Sequence, residues 1–339
     1  MNHRLPTLLI GVASLSALAL ARSACAQAPP ITGGETFRPD CVMGSDSCLK
    51  CHASEVSTWR KTPHAQTVNT LHRTPAAKEI ASRLSLRSVK RNDTCVRCHY
   101  TRREVRGRAR IDSGVSCESC HGPARDWIET HAEYGPGVTR QTETPEGRRL
   151  RRQRSVAAGM NNPSNVYLIA RQCFDCHTTP NEELVDVGGH PAGSRNFDLV
   201  AWSQGQVRHN FVRSDGAYNE PSSPERLRVM HVVGVMADLE YSLRAVARAT
   251  TDGPYARACA DRAAEKKRSL WELQRELNDP LIAGALEPLS ALQIKLHNAD
   301  AILAAADALS DAAFAFAERA DGARLAAIDD RLPAPGTYK

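Results

Sequence analysis

Four copies of one pentapeptide restrict what this chain can become. Cys48-Leu49-Lys50-Cys51-His52, Cys95-Val96-Arg97-Cys98-His99, Cys117-Glu118-Ser119-Cys120-His121 and Cys173-Phe174-Asp175-Cys176-His177 all read Cys-x-x-Cys-His. That spacing is the attachment signature of c-type haem. Two thiols add to the two vinyl groups, and the adjacent histidine meets the iron as proximal ligand. Chance does not produce four copies in a chain with 11 Cys and 12 His. Zinc ribbons, the rival chemistry, need paired Cys-x-x-Cys knuckles without a histidine in the fifth place of every copy. The expectation is four covalently bound haem c groups. They are carried by Cys48, Cys51, Cys95, Cys98, Cys117, Cys120, Cys173 and Cys176, with His52, His99, His121 and His177 on the irons. Only 5% of the residues are aromatic, which is little for a large core of side chains; four apolar macrocycles would make up the difference.

The remaining cysteines are Cys25, Cys41 and Cys259. Cys41 and Cys259 could pair in an oxidising compartment, or stay as two unrelated thiols. Residues 1–26 read as a secretory signal peptide: His3 and Arg4 precede an apolar run from Leu8 to Ala21, and Ala24-Cys25-Ala26 fits small-x-small cleavage. Arg22 stands where a lipobox would want an aliphatic residue, which disfavours lipidation at Cys25. The run is short for a membrane span, so cleavage after Ala26 and a periplasmic product without a stable membrane span are expected. The formal net charge of +6 loses Arg4 and Arg22 with the leader and is offset further by two propionates per haem. It therefore says little about acidic partners, and there is no nucleic-acid motif.

Residues 27–40 are rich in Pro, Gly and Thr and suit a flexible entry segment. A haem-bearing domain is expected over 27–215, with short helices broken by Gly and Pro and no convincing strand alternation. Two basic stretches lie in it, Arg102–Arg110 and Arg148–Arg154. Each is read as a solvated loop, or as a set of arginines that neutralise propionates or steer an acidic redox partner. From Pro221 the texture changes. Ser223-Pro224 opens a helix, with Val229, Val232, Val233, Met236, Leu239, Leu243 and Val246 at helical spacing. A second helix carries Trp271, Leu273 and Leu277, a third Leu286, Leu289, Leu292 and Leu296, and a fourth runs from Asp300 to Ala320 with Gly322 as its stop. The fold class is thus mainly α: a haem domain with little regular structure, then a helical bundle over 216–339 that serves as scaffold or dimerisation element.

Seven histidines remain beyond the motifs and the leader: His64, His72, His131, His190, His209, His231 and His297. They decide whether each iron is closed by a second imidazole or open to small ligands. His190, in the sharp turn Gly188-Gly189-His190-Pro191, could close the haem on His99 or that on His177; His72 is a second candidate for the former. His231 and His297 fall in the helical part and read as packing or surface residues.

Over roughly residues 45–213 the chain resembles the tetrahaem cytochrome c-554 family. The likeness rests on the four motifs, on Trp59-Arg-Lys-Thr-Pro-His64-Ala, on Gly114–Pro123 with His131 ten residues on, and on Gln206-Val-Arg-His209-Asn-Phe. The resemblance implies crossed distal ligation: His64 to the iron of His121, His131 to that of His52, and His209 to that of His177. It also implies closely stacked haem pairs. The family's type member has a five-coordinate second haem, so the iron on His99 is left open between carrier and enzyme. The expected function is a periplasmic electron carrier between respiratory redox partner proteins. The alternative is an oxidoreductase acting on a small nitrogen or sulfur oxyanion at a five-coordinate haem. No Cys-x-x-Cys-Lys site is present. The helical extension of about 120 residues departs from a minimal tetrahaem cytochrome.

Overall fold

A computed structural model describes Cys25, residues 38–178 and residues 181–339. The expected signal peptide, apart from Cys25, and most of the expected entry segment lie outside the described residues.

The described chain is mainly α. In its first half the helices are short: α1 (Ala53–Trp59), α2 (Pro63–Thr70), α3 (Pro75–Arg83), α4 (Asp93–His99), α5 (Cys117–His121), α6 (Pro145–Ala157), α7 (Val166–His177), α8 (Glu182–Asp186) and α9 (Leu199–Ser203). Four long ones follow: α10 (Pro224–Arg248), α11 (Pro254–Leu277), α12 (Pro280–Ser290) and α13 (Ala299–Arg319). One start signal recurs. Thr62-Pro63, Thr74-Pro75, Thr144-Pro145 and Ser223-Pro224 each place a hydroxyl that accepts a backbone N–H three residues on, and Pro supplies the first helical φ.

Contrary to the sequence expectation, the first basic stretch is a β-hairpin. β1 (Thr101–Val105) pairs antiparallel with β2 (Arg108–Ser113). Arg106 and Gly107 both have positive φ, 53° and 70°, the conformation of the two-residue turn whose twist matches paired strands. The second basic stretch is helical, in α6.

Two apolar cores form. A small one joins α3 and α4 through Ala81, Val89, Cys95, Val96 and Tyr100. The large one runs from Val166 to Ile328 and therefore lies on both sides of residue 215. It packs α7, which carries the fourth motif, and α9 against α10 to α13. The expected stripe on α10 is buried throughout, and the long helices spend their apolar faces on one another within the chain. Helix α11 carries Trp271, Leu273 and Leu277 as expected, with Trp271 exposed because it faces away from the stripe that buries Leu270 and Leu273. Other sequence assignments fail here. Helix α12 ends at Ser290, so Leu292 and Leu296 are not on it. Gly322 does not stop α13, which ends at Arg319; it opens a 3-10 segment, Gly322–Arg331.

Cys41 bonds to Cys25 and not to Cys259. The Cys25 N–H also donates to Asp126 Oδ2 at 2.6 Å. Cys259 is a buried thiol on α11 beside Tyr255. Among the described residues no helix is long and apolar enough to cross a membrane.

Candidate haem-binding site

Local structure presents each motif in a similar way. The second and fourth motifs close α4 and α7, the third is α5 itself, and the first follows a 3-10 turn, Ser45–Cys48. A helical turn puts both cysteines and the histidine on one side. The third motif is further fastened by its own variable residue. Glu118 is buried and accepts N–H bonds from Met43 (2.9 Å), Gly44 (2.8 Å) and Ala124 (2.8 Å). Burial pushes its carboxyl pKa up against those three donors. Glu118→Gln, which loses one anionic acceptor, is expected to cost about 1–2 kcal/mol in chemical denaturation of the intact protein.

The histidines come together in four pairs. Ring centroids lie 6.2 Å apart for His52 and His131, 6.3 Å for His64 and His177, 6.3 Å for His99 and His190, and 6.2 Å for His121 and His209. Imidazoles in direct contact would be closer. Two metal–nitrogen bonds of about 2 Å, plus the distance from nitrogen to ring centre on each side, add up to about 6.3 Å. The gap therefore fits one metal ion between two imidazoles, four times over, and in each pair one ring belongs to a Cys-x-x-Cys-His motif. Burial draws the pKa values of His99, His121 and His177 down to about 4, so these rings are neutral, as ligation requires. His64 and His131 are lowered by burial as well.

This pairing differs from the expectation in two of its links. His64 faces His177 and not His121, and His209 faces His121 and not His177. The reason lies in the packing. The Val115 N–H donates to the His64 carbonyl at 3.0 Å, and Trp59 Nε1 donates to the Val115 carbonyl at 2.9 Å. A Cβ on Gly114 would collide with that same His64 carbonyl. The backbone of α2 is thus pressed on the strand leading into α5, while its imidazole reaches across to α7. The other side of His177 is filled by Phe197, stacked at 4.2 Å, and Trp202 at 5.4 Å. His190 is the partner of His99. His72, in the 3-10 turn Leu71–Arg73, His231 on α10 and His297 face no second imidazole among the described residues.

The motifs also meet one another. The Cys48 side chain lies beside that of Cys117, and the Cys98 side chain beside that of Cys176. Arg97 Nη2 donates to buried Asp175 at 2.7 Å, tying the variable residues of the second and fourth motifs together. The first motif thus lies beside the third and the second beside the fourth.

Each ring's outer nitrogen has its own environment. Nδ1 of His131, His190 and His209 sits 2.6, 2.8 and 2.6 Å from the carbonyl oxygens of Ile128, Pro191 and Val207. His177 instead has the Ser194 hydroxyl at 3.0 Å. Nδ1 of His52 is 3.7 Å from Glu55, and Nδ1 of His121 is buried. Ser194, Phe197 and Trp202 belong to no motif that sequence reasoning finds, and their only signal is their place between two histidine-bearing segments.

A family described as Cytochrome c554 and c-prime matches residues 47–122, which hold the first three motifs. Cytochrome c-554 of Nitrosomonas europaea is 27% identical over 157 residues, which cover 43% of this chain. The chain spans 62% of the length of that curated relative. No solved structure matches. Three of the four motifs lie inside the matched segment, and each motif histidine faces a second imidazole, so over this part the chain is similar to c554-type cytochromes.

Proposed function

We propose that this protein is a periplasmic tetrahaem electron carrier whose four irons each sit between two histidines: His52 and His131, His99 and His190, His121 and His209, His177 and His64. The thioethers are those of Cys48 and Cys51, Cys95 and Cys98, Cys117 and Cys120, and Cys173 and Cys176. The observation that carries this is the set of four imidazole pairs at one-metal spacing. Bound haem supplies one-electron redox chemistry, and two imidazoles keep it low-spin and closed to substrates. The chain's own share is to hold the rings, exclude water and set the potentials through what each Nδ1 touches. Adjacent motifs one and three, and two and four, favour two stacked haem pairs with a short path between them. His190 beside His99 supports a closed second haem and so favours the carrier over the oxyanion-reducing alternative.

Electron paramagnetic resonance of the oxidised holoprotein tests the reading. Four low-spin haems are expected, and carbon monoxide should leave the reduced spectrum unchanged. A high-spin ferric haem, or a carbon monoxide complex, would overturn it.

Partners are other redox proteins. The exposed Arg106, Arg108 and Arg110 at the end of the hairpin suit an acidic one, giving rates that fall with salt. The chain divides into a haem domain over 27–215 and a helical domain over 216–339, with α7 and α9 packed into the second. Periplasmic export agrees with the apolar leader and with a Cys25–Cys41 disulfide, a bond of oxidising compartments. Cleavage after Ala26 would discard Cys25. Ala21-Arg22-Ser23 offers another small-x-small site that keeps it. The intact mass of the exported protein is expected to match a chain starting at Ala24. A start at Gln27 with Cys41 free would refute this.

A further inference from the structure

The helices after residue 216 carry no haem motif, yet a buried ion pair within them leads to a haem ligand. Asp238 on α10 and Arg262 on α11 are both buried. They meet through two bonds, Nε to Oδ1 at 2.5 Å and Nη2 to Oδ2 at 3.0 Å. The third arm of the guanidinium, Nη1, donates to the Ser194 carbonyl at 2.9 Å. Ser194 in turn holds His177 twice. Its N–H donates to the His177 carbonyl at 2.7 Å, and its hydroxyl lies 3.0 Å from Nδ1 of the ring. Gly193, with φ of 82°, allows this approach, since a Cβ there would strike the His177 carbonyl. The same loop supplies Phe197, and α9 after it Trp202, as further contacts of the imidazole, and Leu199 at the start of α9 packs closely on Gly234 of α10.

We propose that the C-terminal helices tune the haem on His177 by way of Ser194, with Arg262 and Asp238 as the positioning residues that fix the serine loop. When Nε2 is on iron, Nδ1 must carry the proton, so the ring donates and the hydroxyl accepts. An acceptor on Nδ1 makes the imidazole a stronger base and favours ferric iron. Three other rings of the proposed set use backbone carbonyls for this purpose. Here the acceptor is a side chain, adjustable by substitution, and its loop is anchored in a part of the chain that lies outside the family match. The inference rests on the proposed bis-histidine haems.

Haem content and spin state of the unaltered holoprotein are measured first; if four low-spin haems are absent, the functional reading fails. With them present, Ser194→Ala is expected to raise the midpoint potential of one haem in a redox titration and to move one low-spin resonance, leaving three unchanged. Ser194→Thr, which keeps the hydroxyl, should return both toward the parent values. The paired substitution Asp238→Asn with Arg262→Gln removes both charges together, so no buried charge is orphaned, and shortens the arm that reaches Ser194. It should shift the same haem in the same direction at unchanged haem content. Unchanged potentials in Ser194→Ala, a uniform shift of all four, or equal behaviour of Thr and Ala would overturn the serine's role. A shift in Ser194→Ala without one in the paired variant would overturn the role given to the helices.

Discussion

Replacing His190 with alanine is expected to turn one closed haem into an open one. His190 is the imidazole that faces His99 at 6.3 Å, and the other candidate, His72, faces no imidazole in the described chain. His190 is held in a turn: its ring Nδ1 meets the Pro191 carbonyl at 2.8 Å, and its backbone N–H donates to the Leu184 carbonyl at 3.1 Å. Loss of the ring therefore leaves the backbone support in place and removes only the ligand. The oxidised variant should gain a high-spin signal from a single haem. The reduced variant should bind about one carbon monoxide per chain, where the parent binds none. His72→Ala should change neither. If His190→Ala stays fully low-spin, another group closes that haem and the pairing is wrong.

The second large effect is a pH dependence seated on α10, a helix that carries no motif. Glu240 on α10 is buried, accepts from Tyr167 Oη at 2.6 Å and pairs with Arg244 at 2.9 Å. Burial outweighs both partners and lifts its carboxyl from 4.5 to about 7. A carboxyl whose folded pKa is raised binds its proton more tightly in the native state. Its stabilising contribution is complete below the unfolded value and is lost as pH climbs to the folded one. A tenfold tighter hold on the proton is worth about 1.4 kcal/mol, so stability should fall by about 3 kcal/mol between roughly pH 4.5 and 7. The paired surface carboxylates, such as Glu182, which hydrogen bonds from Thr250 and Thr251 lower to about 2, act in the opposite direction and only at more acid pH. In denaturation followed by circular dichroism, Glu240→Gln should flatten this slope and be the more stable protein at pH 8. A parent protein with no loss of stability across this window would count against the assignment.

The haem motifs and the helical texture are legible in the sequence because both are local. A Cys-x-x-Cys-His repeat has its meaning within five residues, and the Ser223-Pro224 start with its apolar stripe has its meaning within a few turns. The family resemblance also places His131 opposite His52, where the structure has it. The same resemblance gives His64 and His209 each other's partners, because which ring crosses to which is decided by packing that no spacing encodes. In this chain that packing is the Val115–His64 backbone bond on one side of the domain and the Phe197–Trp202 wall on the other. The hairpin is hidden for a related reason: its strands are arginine-rich, and what marks it is the pair of positive φ angles at Arg106 and Gly107. Cys25 reads as part of the leader, so the sequence does not offer it as the partner of Cys41.

The crossed histidines have a consequence for the order in which the protein can mature. A chain crossing a membrane amino end first delivers His52, His99 and His121 well before His131, His190 and His209. Under the four-haem reading, the first three haems spend part of their assembly with one axial position waiting. The haem on His177 is different, since His64 has already emerged when the fourth motif arrives. Its two ligands span the longest stretch of chain among the four pairs, and closing it draws α2 onto α7. The last haem attached is then the one that joins the early part of the molecule to the helices still to come.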